Sequence, residues 1–256
     1  SQDYHLRLLL DLLPTSGVTV RNLSRDQIGF QIAGPNARKL LEKTTRSDVS
    51  NAAMPFRAVQ RMNIGLTDAL VQRVTYTGDL GFEMYVATHE QASLYQTLAQ
   101  AGEEFDLKPF GMRAMMSLRL EKSFGSWLRE YRPDYTAAET GLDRFISFKK
   151  NDFIGRDAAL KEKEEGPKRQ LVTFVVDAAD ADVVADEPIW KDGEVVGFVT
   201  SGGYAHYVDK SLAIGFVPVG MIEDAADFEI EILGEMRGAT IHLAPLFDPE
   251  GERMRM

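Results

Sequence analysis

The sequence predicts an α+β chain in two parts, mixed helix and sheet over residues 1–166 and a small all-β barrel over 167–256. Three observations lead there. Up to about residue 100 the periodicities run as two strands, a helix, three strands and a helix. A charged connector follows a further helix, and from Arg169 onward only short strands recur around a Lys191-Asp-Gly-Glu194 hairpin turn. At 256 residues the chain is long enough for two cores.

The elements follow in order. Leucines in the first dozen residues, interrupted by Arg7 and Asp11, predict an amphipathic helix ending near Pro14. Val18–Leu23 and Ile28–Ala33 read as paired strands. Gly34-Pro35 opens a helix with Ala37, Leu40 and Leu41 on one face and proline in a tolerated first-turn position. Val59–Ile64, Ala69–Thr75 and Phe82–Val86 read as three strands. Thr88-His-Glu-Gln91 has the spacing of a capping box, with Ala92, Tyr95, Leu98 and Ala99 continuing as the helix's apolar face. Phe110–Ser123 forms a further helix, its Met112, Met115 and Met116 serving as core filler. The connector carries one short helix near Asp157–Lys163. Leu171–Val176, Glu194–Thr200, Leu212–Val217, Phe228–Ile232 and Thr240–Leu243 complete the barrel, with acidic loops at 183–187 and 223–227 and a fraying end after Pro249.

Composition narrows the function. A net charge of −10 disfavours nucleic acid and anionic membrane as partners. Without cysteine there is no thiolate chemistry, and the four histidines lack metal-ligand spacing, so no metal is expected. No run of 18 apolar residues offers a membrane span.

The stretch Val74–Tyr85 is the most informative. Strand alternation there turns Glu83 and Tyr85 to one face and Phe82, Met84 and Val86 to the other. Gly78 and Gly81 clear side-chain bulk beside the acid, which would let a flat ligand approach the backbone. Taken alone, this reads first as a half-buried strand with a solvated acid, since exposed carboxylates are common and binding ones rare. Other signals are weaker still. Gly202-Gly203 lacks the following helix of a phosphate loop, and no G-x-S-x-G elbow occurs. Trp127 reads first as a core residue, and Leu118 as the core-facing member of Leu118-Arg-Leu-Glu121. Glu139, beside a glycine in the connector, is placed to cap a backbone or hold a cationic side chain.

In order, Gln31-Ile-Ala-Gly-Pro-Asn-Ala-Arg38, Tyr76-Thr-Gly-Asp-Leu-Gly-Phe-Glu83, Ser117-Leu-Arg-Leu-Glu-Lys122, Glu139-Thr-Gly-Leu142, Asp152-Phe-Ile-Gly-Arg156, Thr200-Ser-Gly-Gly-Tyr204 and Ser211-Leu-Ala-Ile-Gly-Phe-Val-Pro218 form a combination. It resembles the folate-binding family typified by the T-protein (aminomethyltransferase) of the glycine cleavage system. Leu120-Glu-Lys-Ser-Phe-Gly-Ser-Trp127 is similar to the C-terminal portion of dimethylglycine and sarcosine dehydrogenases in particular.

The resemblance implies a T-protein-like folate-binding domain of strand–strand–helix–three-strand–helix units followed by a small barrel, here with the first repeat absent. It implies tetrahydrofolate as cofactor, with Glu83 holding the paired pterin donors and Tyr76 and Tyr85 beside it. Trp127 and Tyr204 are further candidates for lining the ligand cavity. Arg119 and Glu121 match the family string as structural residues, Glu139 belongs with them, and Met115 stands where the T-protein has an arginine. The family's catalytic carboxylate has no counterpart here and is expected upstream, which leaves the catalytic residue unknown.

The implied reaction passes a methylene unit from a methylated amine, as its iminium or formaldehyde-level product, to give 5,10-methylenetetrahydrofolate. FAD would sit only on a flavoprotein domain or partner subunit. The implied location is the cytoplasm of a bacterium or the mitochondrial matrix of a eukaryote. A stand-alone aminomethyltransferase or folate-dependent demethylase, and a non-catalytic folate-binding or assembly module, stay open as alternatives.

Overall fold

A computed structural model describes residues 2–256. The chain divides into two compact units. The first runs to Pro109 and takes in Gly251–Met256, and the second is Phe110–Glu250.

The first unit contains α1 (Gln2–Leu12), β1 (Gln27–Ala33), α2 (Ala37–Thr44), β2 (Val59–Ile64), β3 (Thr67–Gln72), β4 (Gly81–Ala87) and α3 (Gln91–Gly102). Its four strands form one antiparallel sheet in the order β1-β4-β3-β2. Ile32, Met62, Ile64, Val71, Phe82, Met84 and Val86 face α2 and α3 in one core with Leu40, Leu41, Leu94 and Leu98. Each such buried side chain contributes about 1.5–3 kcal/mol. Slipping β4 by one residue would bring Phe82, Met84 and Val86 out to solvent and Glu83 into the core. The hydrophobes therefore fix the face on which Glu83 lies.

Several sequence expectations change here. Val18–Leu23 is not a strand: it lies outside the sheet, and Val18 and Leu23 are exposed, so nothing rewards its extended pattern with a ladder. Helix α1 forms, but none of its residues is buried. Helix α2 begins at Ala37 with Asn36 at the N-cap, so Pro35 precedes the helix. The Thr88 capping box does not form. Thr88–Glu90 makes a 3₁₀ turn instead, and α3 starts without a side-chain cap. Its buried face is Leu94, Leu98 and Gly102, while Tyr95 is exposed. The chain end does not fray. It forms α6 (Glu252–Arg255), with Met254 buried, and packs in the first unit.

The second unit contains α4 (Met112–Glu121), α5 (Arg156–Glu165) and strands β5 (Arg169–Val176), β6 (Pro188–Lys191), β7 (Glu194–Ala205), β8 (Lys210–Pro218), β9 (Phe228–Ile232) and β10 (Glu235–His242). These strands close into an antiparallel barrel, β10-β5-β8-β7-β6-β9. Strand β7 runs past its expected end at Thr200 to Ala205, through a register shift between Val199 and Ser201. The structure adds β6 to the expected strands, paired with both β7 and β9. Helix α4 buries Arg119, Leu120 and Glu121, not the methionines, and Met112 is exposed. Leu118 is half-buried. The helix packs Leu120 on Leu212, Ile214 and Ala205 of the barrel.

Candidate functional site

Glu83 lies mid-sheet on the face opposite the first unit's core. Its register partners are Gln31 on β1 and Gln72 on β3, so Gln31, Glu83 and Gln72 form one row across three strands. The adjacent row is Gly29, Tyr85 and Leu70. Glu83 Oε2 accepts the Tyr85 hydroxyl at 2.8 Å and Gln72 Nε2 at 3.1 Å, and Gln72 Nε2 also reaches the Tyr85 oxygen at 3.3 Å. Oε1 accepts no hydrogen bond from the described residues, which leaves it open to an N–H donor. Gln31 Nε2 is shielded from solvent and has no partner among the described residues. One strand spacing from Glu83 there is thus a donor that nothing satisfies.

Burial first, then the bond and charge of Glu83, push the Tyr85 phenol above its ordinary pKa, against a smaller opposite effect of Gln72. Tyr85 therefore stays a protonated donor that holds Glu83 in place. Gly29 leaves room for this ring, since a Cβ there would stand 3.3 Å from Tyr85 Cε1.

The turn before Glu83 is anchored from both sides. Gly78 has a φ of +84°, which favours glycine. Asp79 accepts Leu80 N at 2.8 Å through Oδ1 and Arg253 Nη2 of α6 at 2.8 Å through Oδ2. Arg73, almost fully buried, donates to Asn51 Oδ1, to Met54 O at 2.9 Å and to the backbone of α6 and Met256. The room expected at Gly81 is already taken: a Cβ would meet Thr75 Cβ at 2.9 Å and Ile32 O at 3.2 Å. This glycine permits Thr75 to pack against the strand, not a ligand to approach it. Tyr76 is half-buried in the same turn.

Trp127, Tyr204, Arg119, Glu121 and Glu139 belong to the second unit. Trp127 is 68% exposed, with its ring edge-on to Tyr131, so it is not a core residue. The Tyr204 hydroxyl donates to Asp209. Arg119 Nη1 donates to Phe124 O at 2.9 Å and lies 3.4 Å from Glu130 Oε2. Glu130, fully buried, also accepts Ser126 N at 2.7 Å and Ser201 Oγ at 2.5 Å. Glu121 Oε1 accepts Tyr207 N at 2.9 Å, and Ser117 Oγ donates to Tyr204 O at 2.6 Å. Together these bonds lock α4 to β7 and the β7–β8 turn. Burial raises the Glu121 pKa, opposed by the Tyr207 bond and by His206. Glu139 Oε2 caps Thr136 N at 3.0 Å, and its Oε1 holds Arg169 Nε at 2.8 Å. Among the described residues no cluster has the makings of a metal site.

Two family models match the chain, the first running past the unit boundary at Pro109 and the second covering the barrel. Residues 1–150 match the GCVT N-terminal domain, and residues 169–248 match the glycine cleavage T-protein C-terminal barrel domain. The chain belongs to the glycine cleavage T-protein family.

Among relatives of this T-protein-like chain, the mitochondrial dimethylglycine dehydrogenase of Mus musculus is 39% identical over 241 residues, 93% of this chain. An aminomethyltransferase of Natranaerobius thermophilus is 32% identical over 235 residues, covering 91% of this chain and 64% of the relative. The chain spans 28% of the length of that dehydrogenase. The solved glycine cleavage aminomethyltransferase of Bartonella henselae shares the fold, with a TM-score of 0.76 at 23% identity over 87% of this chain and 60% of that one.

Within this T-protein-like frame, sequence reasoning missed Gln31, Gln72, Glu130 and Ser201. The first two had a signal: each sits at strand alternation beside Glu83's expected row, but only the strand order β1-β4-β3 puts both next to it. Ser201 lay inside a family string without a role. Glu130 carried no signal, because its partners come from α4 and β7, 11 and 71 residues away.

Proposed function

We propose that this chain binds tetrahydrofolate on the Glu83 face and takes up a methylene carbon from a methylated amine, forming 5,10-methylenetetrahydrofolate, as the folate region of a dimethylglycine or sarcosine dehydrogenase-like enzyme. The observation that carries the reading is the row Gln31–Glu83–Gln72. It pairs an open carboxylate oxygen with an unsatisfied amide donor one strand away.

A pterin ring offers an N–H beside a carbonyl oxygen, a donor–acceptor pair that calls for an acceptor and a donor on neighbouring side chains. Glu83 would accept the ring N–H through Oε1, while Tyr85 and Gln72 hold Oε2 and fix the carboxylate plane. Gln31 would donate to the carbonyl. Membership in the T-protein family and likeness to dimethylglycine dehydrogenase support the ligand class.

Tetrahydrofolate supplies the nucleophilic ring nitrogen that receives the carbon. The residues named here bind and orient: they hold the ring in one plane and keep its edge from rotating, which lowers the entropic part of the barrier. Tyr85, kept protonated, adds no charge beside Glu83. The flavin chemistry that generates the donor belongs to another domain or subunit.

Titration calorimetry with folinic acid tests this reading. The protein is expected to bind saturably, and Glu83→Gln to weaken binding by about 2–4 kcal/mol, or roughly 30- to 1,000-fold, because an amide N–H then opposes the ligand's donor. Equal affinity in the variant would exclude Glu83 as the clamp.

A further inference from the structure

Two arginines of the first unit meet without a side-chain counter-charge. Arg38 lies on α2 and Arg73 directly follows β3, and their guanidiniums share two acceptors. Asn51 Oδ1 accepts Arg38 Nη2 at 2.9 Å and also Arg73 Nη1. The Met256 oxygen accepts Arg38 Nη2 at 2.7 Å and also Arg73 Nη2. The other bonds go to backbone carbonyls, Val49 O from Arg38, and Met54 O and Met254 O from Arg73. Among the described residues no side-chain carboxylate lies within ion-pair reach of either arginine.

A second observation concerns Arg73 alone. It is only 1% exposed, and its Nε is buried without a hydrogen-bond partner. A buried charge left without an opposite charge is costly, and two like charges drawn to one oxygen repel. Burial lowers the pKa of both arginines, the charge of Arg38 lowers that of Arg73 further, and Glu42 opposes the effect at Arg38. The Arg38 guanidinium also stands over the Phe82 ring, 5.6 Å from its centroid, which offsets part of its desolvation.

The geometry shows which ligand would complete this pair. Neutral carbonyls satisfy donors but do not cancel charge. A carboxylate does both, since its two oxygens accept from two guanidinium forks at once. The Met256 oxygen marks the place, because both arginines bring Nη2 to it. Met256 is 43% exposed, so the position is reached from solvent when that residue moves aside.

We infer that Arg38 and Arg73 form a binding site for one carboxylate group, with an anion oxygen at the position of the Met256 oxygen and Asn51 holding the two guanidiniums side by side. The carboxylate belongs to a small free acid or is carried by the C-terminal segment of the chain. Phe82, beneath Arg38, faces the first unit's core, so the site is separate from the Glu83 face and does not depend on folate being the ligand there.

The test is thermal unfolding and calorimetry with sodium acetate, beside acetamide as its neutral isostere and sodium chloride at equal ionic strength. Two forms are compared, the intact protein and a variant ending at Arg253, which lacks the Met256 oxygen but keeps the Arg253–Asp79 ion pair. The shortened protein is expected to bind acetate with a Kd of about 1 mM, and about 20 mM acetate to raise its Tm by about 4–7 °C. Acetamide and chloride should give no such rise. Arg38→Met should weaken acetate at least about tenfold in whichever form binds it. Equal acetate affinity in the intact protein would assign the site to a free acid, and binding that appears only on shortening would assign it to the C-terminal segment. A shortened chain that folds only when acetate is present, and not with acetamide, reads the same site. No acetate response in either form, an equal response to chloride, or an unchanged affinity in Arg38→Met would each overturn the assignment.

Discussion

Replacing Gln31 by methionine should raise the protein's stability and lower its affinity for folinic acid. Gln31 Nε2 is buried against the Glu83 face without a partner. An unsatisfied donor of this kind costs about 1–3 kcal/mol, and methionine fills the same length without it. For a protein of this size each kcal/mol moves Tm by about 2–4 °C, so a rise of about 2–12 °C is expected. The same substitution removes the donor proposed for the ligand's carbonyl, worth about 1.4 kcal/mol or tenfold in Kd. Thermal unfolding and calorimetry on one preparation read both effects. Gln31→Glu is the counterpart: it sets a second carboxylate in register with Glu83 and should lower both stability and affinity, as like charges directly opposite repel. A Gln31→Met protein with wild-type affinity would refute the donor's role. One with a lower Tm would refute the claim that the amide is unsatisfied.

Other substitutions test the frame of the two units. Glu121 has a raised pKa in the folded protein, so folding binds its proton, and its contribution to stability falls as pH climbs from the ordinary carboxylate range through the raised value. Glu121→Gln keeps the acceptor for Tyr207 N and should flatten that slope in Tm measured across pH, with the gain over wild type at the alkaline end. Glu130→Ala strands the 2%-exposed Arg119 without its carboxylate and should cost about 3–5 kcal/mol in urea unfolding. Gly81→Ala drives a methyl to 2.9 Å from Thr75 Cβ and should cost about 1–3 kcal/mol, read by the same denaturant midpoint.

Strand alternation was enough to put Glu83 and Tyr85 on one face, because a period of two is local and the hydrophobes opposite them are unambiguous. The barrel was legible from short strands and the Lys191–Glu194 turn for the same reason, although β7's extension to Ala205 was not, since a register shift at Val199/Ser201 keeps it paired past the expected end. The order of motifs also carried the family. What remained hidden depends on chain order in space. Val18–Leu23 has strand composition but gains no neighbour, and the last residues look unstructured until Arg73 and Asp79 bind them.

The sequence by itself determined that Glu83 would face away from a hydrophobic core beside Tyr85, since burying Phe82, Met84 and Val86 leaves it no other face. Only the tertiary structure decided what Glu83 meets there. Gln31 and Gln72 lie on strands 52 residues or less from it in sequence but one ladder spacing away in space, and pairing between strands, not composition, put a satisfied oxygen, an open oxygen and an unsatisfied donor in one row.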